Sequence, residues 1–247
     1  NSPLYRGFEQ ILHGKEPADA LVYAPRICGI CSVSQSVAAA HALADAQGAA
    51  MPPNGERLAN LVLAVENLAD HFTHFYLFFM PDFAREVYAD RPWHQSVAAR
   101  FRAQRGTAAN DAVAARAGFL NLMGLLAGRW PHTHAVQPGG TAKAVGSSER
   151  LRVLSLLGQF RRYLEEHTFG GPLEAVAELD DRQALEEWVA RRPDSDLGLF
   201  LQAADDLGLA GLGRAYDRFV SYGSYPFQGE RHFPAGGFAD GEAQALD

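Results

Sequence analysis

The most regular hydrophobic pattern in the chain lies between residues 54 and 80, where apolar side chains recur every three or four positions. This spacing places them on one face of an α-helix and predicts that the face is buried in a helical bundle. Asn54 is a suitable N-cap, and Pro81 is expected to end the helix. The predicted buried positions are Leu58, Leu61, Val62, Val65, Leu68, Ala69, Phe72, Phe75, Tyr76 and Phe79.

Helical patterns dominate the rest of the chain and predict a mainly α fold, a multi-helix bundle with long irregular loops and a few short strands. An irregular loop is expected at 128–140, a strand at 219–227, and a mobile tail from Gln228 onward. The further predicted helices are 34–47, 95–105, 108–126, 147–166, 173–179, 182–190 and 197–207. Their predicted buried stripes include Val113, Phe119, Leu120, Met123 and Leu126 in one long helix and Leu151, Val153, Leu154, Leu157, Phe160 and Leu164 in the other.

Composition narrows the class of protein without identifying its chemistry. The chain has 247 residues, 47% of them hydrophobic, and a net charge of −7, which is typical of a globular protein with a substantial core. Its arginines are scattered, so no basic surface for nucleic acid is expected. No apolar run is long enough to span a membrane and no signal peptide is visible. With two cysteines, the chain fits a reducing compartment, and we expect a cytoplasmic location.

The candidate chemistry lies in the segment 25–35, where Cys28 and Cys31 are three positions apart. Two thiols at this spacing can bind one metal ion or close a small disulfide, and an accidental pair is a third alternative. A thioredoxin-like motif would need a βαβ context, and a zinc site would need further ligands such as His71 and His74. Arg26 and the N-terminus of the following helix are expected to favour thiolates, and an extended segment is expected to lead into that helix.

The segment Arg26-Ile27-Cys28-Gly29-Ile30-Cys31 resembles the R-x-C-G-x-C signature in the large subunit of nickel–iron hydrogenases. Gln35 takes the place of the histidine usual in that family, and this resembles the regulatory, hydrogen-sensing branch. The supporting matches are Arg6-Gly7-Phe8-Glu9, Glu66-Asn67-Leu68-Ala69-Asp70-His71, His74-Phe75-Tyr76, Asp82, Gly128-Arg129-Trp130-Pro131-His132 and Pro138-Gly139-Gly140.

The resemblance implies a role for each matching residue. Cys28 would be a terminal nickel ligand, Cys31 would bridge nickel and iron, and Gln35 would hydrogen-bond near the bridging sulfur or the diatomic ligands on iron. Glu9 would hold a magnesium ion, and Asp82 would overhang the metal pocket. His132 would lie towards the iron–sulfur clusters of a partner small subunit; as alternatives, His132 and His134 could satisfy loop backbone groups.

The implied function is heterolytic splitting of H2 at a nickel–iron centre that signals H2 availability, with a signalling histidine kinase as a candidate partner. The alternatives are an uptake hydrogenase and a non-catalytic maturation scaffold. The chain lacks the family's C-terminal D-P-C-x-x-C-x-x-H motif, so we expect an incomplete, inactive fragment. Residues 1–140 are expected to hold the metal-site half, and 141–247 a long bundle helix, peripheral helices and a strand and loop tail, in one structural unit.

Overall fold

The computed structural model describes residues 6–213, 217–239 and 242–244, and it confirms the mainly α fold. The α-helices are α1 (Phe8–Leu12), α2 (Ala20–Tyr23), α3 (Ser32–Gln47), α4 (Pro53–Thr73), α5 (Met80–Phe83), α6 (His94–Phe101), α7 (Thr107–Ala127), α8 (Ser147–Tyr163), α9 (Leu173–Ala177), α10 (Arg182–Arg191) and α11 (Asp196–Asp206). The strands are β1 (Val136–Gln137), β2 (Gly140–Thr141), β3 (Arg218–Phe227), β4 (Glu230–Ala239) and β5 (Glu242–Gln244). Among the described residues, no helix is both long and apolar enough to cross a membrane.

The chain divides into two compact units. The first contains Asn1–Leu68, Leu122–Glu149 and Ala215–Asp247, and the second contains Ala69–Asn121 and Arg150–Arg214. The functional division at residue 140 expected from the sequence stays a prediction.

The first unit carries the thiol pair and is built on α3, the beginning of α4 and the short β1–β2 hairpin. Small side chains allow these elements to approach closely: Ala40, Ala59 and Val136 form a buried cluster, with Leu21 and Met51 packed against it. In β1–β2, Val136 pairs with Thr141 and Gln137 with Gly140. The expected irregular loop at 128–140 therefore ends in regular pairing.

A long antiparallel hairpin, β3–β4, completes the first unit, and β5 pairs with the end of β4. The prediction of a strand at 219–227 is confirmed. The segment from Gln228, expected to be a mobile tail, instead pairs over Glu230–Ala239 as β4, and residues 240–241 and 245–247 of that tail lie outside the described residues. Gln228 (φ 54°) and Gly229 (φ 88°) form the two-residue turn, and a type I′ turn needs positive φ at both central positions. The turn is anchored to α4, since Asn60 donates to the Pro226 carbonyl at 2.7 Å.

The second unit begins in the last part of α4, which continues into a π-helical segment, His74–Phe79, and then into α5. The expected helix end at Pro81 is therefore wrong. Pro81 lies in the first turn of α5, where a missing N–H costs little. A second π-helical segment, Leu164–Thr168, follows α8.

A buried polar network crosses the core of the second unit. Tyr76, only 2% exposed, donates to Asp196 Oδ2 at 2.6 Å and lies 2.8 Å from Thr168 Oγ1. Arg100 binds both carboxylate oxygens of Asp196, at 2.8 and 2.9 Å. Both π-helical segments therefore contribute a hydroxyl group to this network: Tyr76 donates to the Asp196 carboxylate, and Thr168 contacts Tyr76.

Most residues that were predicted to be buried on the helices are buried or half-buried, but four of them are exposed. Leu68 (48% exposed), Val113 (50%), Leu151 (69%) and Leu154 (54%) lie on the surface. The physical reason is geometric: a pattern of three- and four-residue steps spans a wide arc of a helix, and the neighbours of each helix cover only part of it.

Candidate metal centre

The two thiols lie side by side at the entry to α3. A 3₁₀ turn, Ala24–Arg26, precedes them, so the extended approach expected from the sequence is wrong. Cys28 and Cys31 are both free and half-buried, and the Cys31 N–H donates to Cys28 Sγ at 3.4 Å. This turn brings both sulfurs to one place, as chelation of a single ion requires.

Gln35 lies one helical turn after Cys31 and faces the same site. Its side-chain Nε2 donates to Cys31 Sγ at 3.8 Å, while its backbone N–H bonds the Cys31 carbonyl at 3.2 Å. A neutral amide thus occupies the place next to the second sulfur, and it supplies a hydrogen bond without a titratable charge.

The Cys31 thiol is held in its protonated form. Burial, followed by the Cys28 hydrogen bond, raises the pKa of Cys31 to about 11, and the Gln35 hydrogen bond only partly opposes this. The expectation that thiolate is favoured is therefore wrong for Cys31. Arg26 is exposed, and Glu66 occupies the backbone N–H groups at the start of α3. A bound metal ion would replace the proton.

Glu66 is the principal residue of this site to which the sequence analysis assigned no function. It lies on α4, is 1% exposed, and caps the N-terminus of α3 from the side. Its carboxylate accepts from the N–H groups of Val33 (2.8 Å) and Ser34 (2.9 Å) and from Ser32 Oγ (3.2 Å). A buried carboxylate at a helix N-terminus is favoured by the helix dipole. The sequence contains one indication of this role: a glutamate interrupts an otherwise apolar, buried stretch of α4, and a buried carboxylate needs partners.

The loop 128–135 packs against the same start of α3. Trp130 Nε1 donates to Glu66 Oε1 at 2.9 Å, and the His132 N–H donates to Ser32 Oγ at 3.0 Å. The His132 ring is also fixed, because its Nδ1 lies 2.9 Å from the Pro25 carbonyl. Pro25 lies in the 3₁₀ turn Ala24–Arg26, so this contact joins the loop to the segment that precedes the thiols.

The remaining predicted residues lie elsewhere. Glu9 is exposed on α1, in the same unit as the thiols. Asp82 is exposed in the first turn of α5, in the second unit. His71 and His74, the residues named as possible further zinc ligands, are exposed on the surface. His134 is also exposed, with Nε2 3.4 Å from Arg129 Nη2.

The donor set of the described residues fits one part of a soft-metal site. Cys28 and Cys31 supply two sulfur donors, and thiolate sulfur suits soft transition metals. Within the described ranges, no group of three or more His, Cys, Asp and Glu side chains could hold a metal ion. Nickel would therefore need additional donors, and the magnesium role of Glu9 stays a prediction.

Comparison with known proteins agrees with this donor chemistry. Residues 6–104 match the family described as nickel-dependent hydrogenase. Over these residues, the chain is similar to nickel-dependent hydrogenases. The matched segment contains both thiols, Gln35, Glu66 and Asp82.

Individual hydrogenase sequences match parts of the chain. The hydrogenase-1 large chain of Escherichia coli (strain K12) is 40% identical over 73 residues, which are 30% of this chain and 12% of that protein. A chain of the F420-non-reducing hydrogenase vhc of Methanococcus voltae is 30% identical over 151 residues, 61% of this chain and 31% of that protein. The matches therefore span well under two thirds of these relatives.

Solved hydrogenase structures share the fold. The Ni-Fe-Se hydrogenase from D. vulgaris Hildenborough in its reduced state superposes with a TM-score of 0.73 at 22% identity, over 99% of this chain and 47% of that chain. A reduced, active form of the Ni-Fe-Se hydrogenase from Desulfomicrobium baculatum gives 0.70 at 18% identity, over 99% of this chain and 48% of that chain. The chain thus has the fold of about half of a hydrogenase chain.

Proposed function

We propose that this chain is part of a hydrogenase large subunit in which Cys28 and Cys31 are ligands of the nickel–iron centre. The observation that carries the proposal is the juxtaposition of two free thiols at the start of α3, inside the segment that matches the family. When bound, such a centre, with diatomic ligands on its iron, supplies a Lewis acid that polarises H2 for heterolytic cleavage.

Each of the candidate residues would have its own role at or near this centre. The thiolates of Cys28 and Cys31 would bind metal, and the Gln35 amide would continue to donate to the sulfur of Cys31. By family resemblance, Glu9 would bind magnesium and Asp82 would lie over the metal pocket. His132 would face a small subunit that carries iron–sulfur clusters.

A hydrogen-sensing role is the finer form of this proposal, and it rests on Gln35. Replacing an ionisable imidazole by an amide removes a titratable charge beside a ligating sulfur, which changes turnover and redox poise. The sensing function would operate in the cytoplasm and use a signalling histidine kinase as partner. In the protein that contains this chain, a sensor is expected to turn over H2 slowly.

The test uses the protein that contains this chain, purified without oxygen, with metal analysis and H2-dependent dye reduction. Cys28→Ser and Cys31→Ser should each lose nickel and activity, while Asp45→Asn, an exposed change on α3, should keep both. Zinc as the sole bound metal, or full activity in the cysteine variants, would contradict the proposal.

The sensing role is tested separately by Gln35→His. A change in turnover or in the redox poise of the centre would support the role of the amide, and identical kinetics would remove the argument for sensing. An uptake hydrogenase would instead show rapid turnover with Gln35 in place. A maturation scaffold would lack D-P-C-x-x-C at the C-terminus of the full protein.

A further inference from the structure

Glu66 connects two segments that contain residues with a role in the proposed function. These segments are the thiol turn, defined as residues 25–35, and the loop 128–135. The carboxylate of Glu66 is 1% exposed and hydrogen-bonds to both of them. A buried carboxylate is costly unless several donors satisfy it, so a side chain in this setting has a specific role in the structure around it.

On the side of the thiol turn, Glu66 binds the first turn of α3. Oε1 accepts from Val33 N–H at 2.8 Å, and Oε2 accepts from Ser34 N–H at 2.9 Å. Ser32, the residue directly after Cys31, donates its hydroxyl to Oε1 at 3.2 Å. Because the Cys31 N–H in turn donates to Cys28 Sγ, a displacement of this first turn would move both sulfurs.

On the side of the loop, Glu66 acts directly and through Ser32. Trp130 Nε1 donates to Oε1 at 2.9 Å. The hydroxyl of Ser32 also accepts from the His132 N–H at 3.0 Å, so one serine bridges the loop and the carboxylate. The loop and the thiol turn therefore share one acceptor group.

We propose that Glu66 is a positioning residue that holds the thiol pair and the loop 128–135 in a single fixed arrangement for metal binding. The inference rests on the proposed function, since it concerns the same two thiols. It assigns Glu66 no contact with the metal or with the substrate.

A neutral replacement of nearly the same shape removes one acceptor oxygen of Glu66. In Glu66→Gln, one oxygen becomes an NH2 group that cannot accept a hydrogen bond, so either the Val33 and Trp130 donors or the Ser34 donor lose their partner. The lost negative charge would also weaken the attraction for a nearby cation, so Trp130→Phe, which removes one donor to the carboxylate and keeps its charge, is measured beside it. Weaker metal binding in both variants indicates lost positioning.

The experiment titrates the reduced chain with Cd2+, a soft divalent ion, and follows the cadmium–thiolate charge-transfer absorbance. The Cys28→Ser/Cys31→Ser variant defines the signal without thiolates, and Asp45→Asn on the exposed side of α3 is the matched loss of one carboxylate. We expect Cd2+ affinity to fall about 10-fold or more in Glu66→Gln, the scale for groups that orient metal ligands. Asp45→Asn should bind as the unsubstituted chain does.

Equal or tighter Cd2+ binding by folded Glu66→Gln would overturn the positioning role and leave the metal-ligand assignment intact. No thiolate signal in the unsubstituted chain would instead overturn the metal-ligand assignment, and the positioning role with it. Should circular dichroism show that Glu66→Gln is unfolded, Trp130→Phe decides, since it removes only one donor to the carboxylate. Weaker Cd2+ binding by that variant supports the inference, and unchanged binding overturns it.

Discussion

At the scale of single residues, the thiol of Cys31 has a reactivity that follows from its surroundings. Because burial and the Cys28 hydrogen bond raise its pKa to about 11, alkylation by iodoacetamide, which requires thiolate, should be slow at neutral pH. Peptide mass spectrometry follows the rate of Cys31 alkylation, which should reach half its maximum at a pH equal to this pKa, about 11. In urea, the same cysteine should titrate near the free-thiol value of about 8.5.

This raised pKa also links the thiol to stability. The folded chain keeps the Cys31 proton to higher pH than the unfolded chain does, so its contribution is fully present below about pH 8.5 and is lost as pH rises through about 11. A folded-state alkylation midpoint near the free-thiol value of about 8.5 would contradict both statements.

Tyr76 provides a second residue-scale prediction, in the second unit. Burial and the neighbouring Asp196 raise the pKa of Tyr76, so its phenol stays protonated and donates. Tyr76→Phe keeps the ring contact with Phe72, whose centroid is 4.6 Å away, but removes the donor to Asp196. Urea unfolding should show a loss of about 1–2 kcal/mol.

Tyr222→Phe is the matched control for this change, because Tyr222 is 84% exposed on β3. Its unfolding free energy should stay within about 0.5 kcal/mol of the unsubstituted chain. Equal effects of the two substitutions would show that the hydrogen bond to Asp196 does not contribute to stability.

At the scale of elements, two helical glycines should respond to alanine in opposite directions. A Cβ at Gly198, in α11, would lie 2.3 Å from the Arg192 carbonyl oxygen and 2.9 Å from that of Pro193. At Gly124, in α7, the position that a Cβ would take has no neighbouring atom within 4 Å. We expect Gly198→Ala to destabilise by about 1–3 kcal/mol and Gly124→Ala to stabilise by about 0.5–1 kcal/mol.

Thermal unfolding followed by circular dichroism measures both glycine variants under one set of conditions. If Gly198→Ala is neutral, the backbone around Arg192 can move aside, and the close packing at the start of α11 is not rigid. If Gly124→Ala destabilises the chain, the expected gain from replacing glycine by alanine, a better helix former, does not apply at this position.

The helices were predictable from sequence to a greater extent than the strands. The boundaries of α3 and α7 follow from local periodicity and from glycine at or near their ends, which act within a few residues. The hairpin β3–β4 was only half predicted, because Phe233 and its neighbours on β4 are interrupted by glycine and proline. Its pairing depends on a Gln228-Gly229 turn that has a weaker sequence signature than Asn-Gly.

At the scale of the whole molecule, some features of the site follow from spacing along the sequence, and others arise only from contacts between distant segments. The closeness of Cys28 and Cys31 was predictable, since three positions and a turn determine it. The hydrogen bonds from the start of α3 to Glu66 were not predictable, because the partners are 32 to 34 residues apart in the chain. For the same reason the raised pKa of Cys31 was missed: the tertiary fold determines its burial.

Large apolar side chains on the surface lead to a prediction about association of the whole chain. Leu151 (69% exposed) and Leu154 (54%) lie three positions apart on α8 and so form one exposed apolar patch, and contiguous apolar surface promotes self-association. The double substitution Leu151→Gln/Leu154→Gln should lower the concentration-dependent rise in light scattering. It should change the unfolding free energy by no more than about 0.5 kcal/mol per site, because both leucines are over half exposed.

Val153 supplies the control on the same helix, since it is 7% exposed between these two leucines. Val153→Gln should destabilise the chain by about 2 kcal/mol or more, because it buries an amide and removes packed methyl groups. A large loss of stability in the leucine variant would mean that this face of α8 is packed, not exposed. Unchanged scattering with unchanged stability would show that self-association does not involve α8.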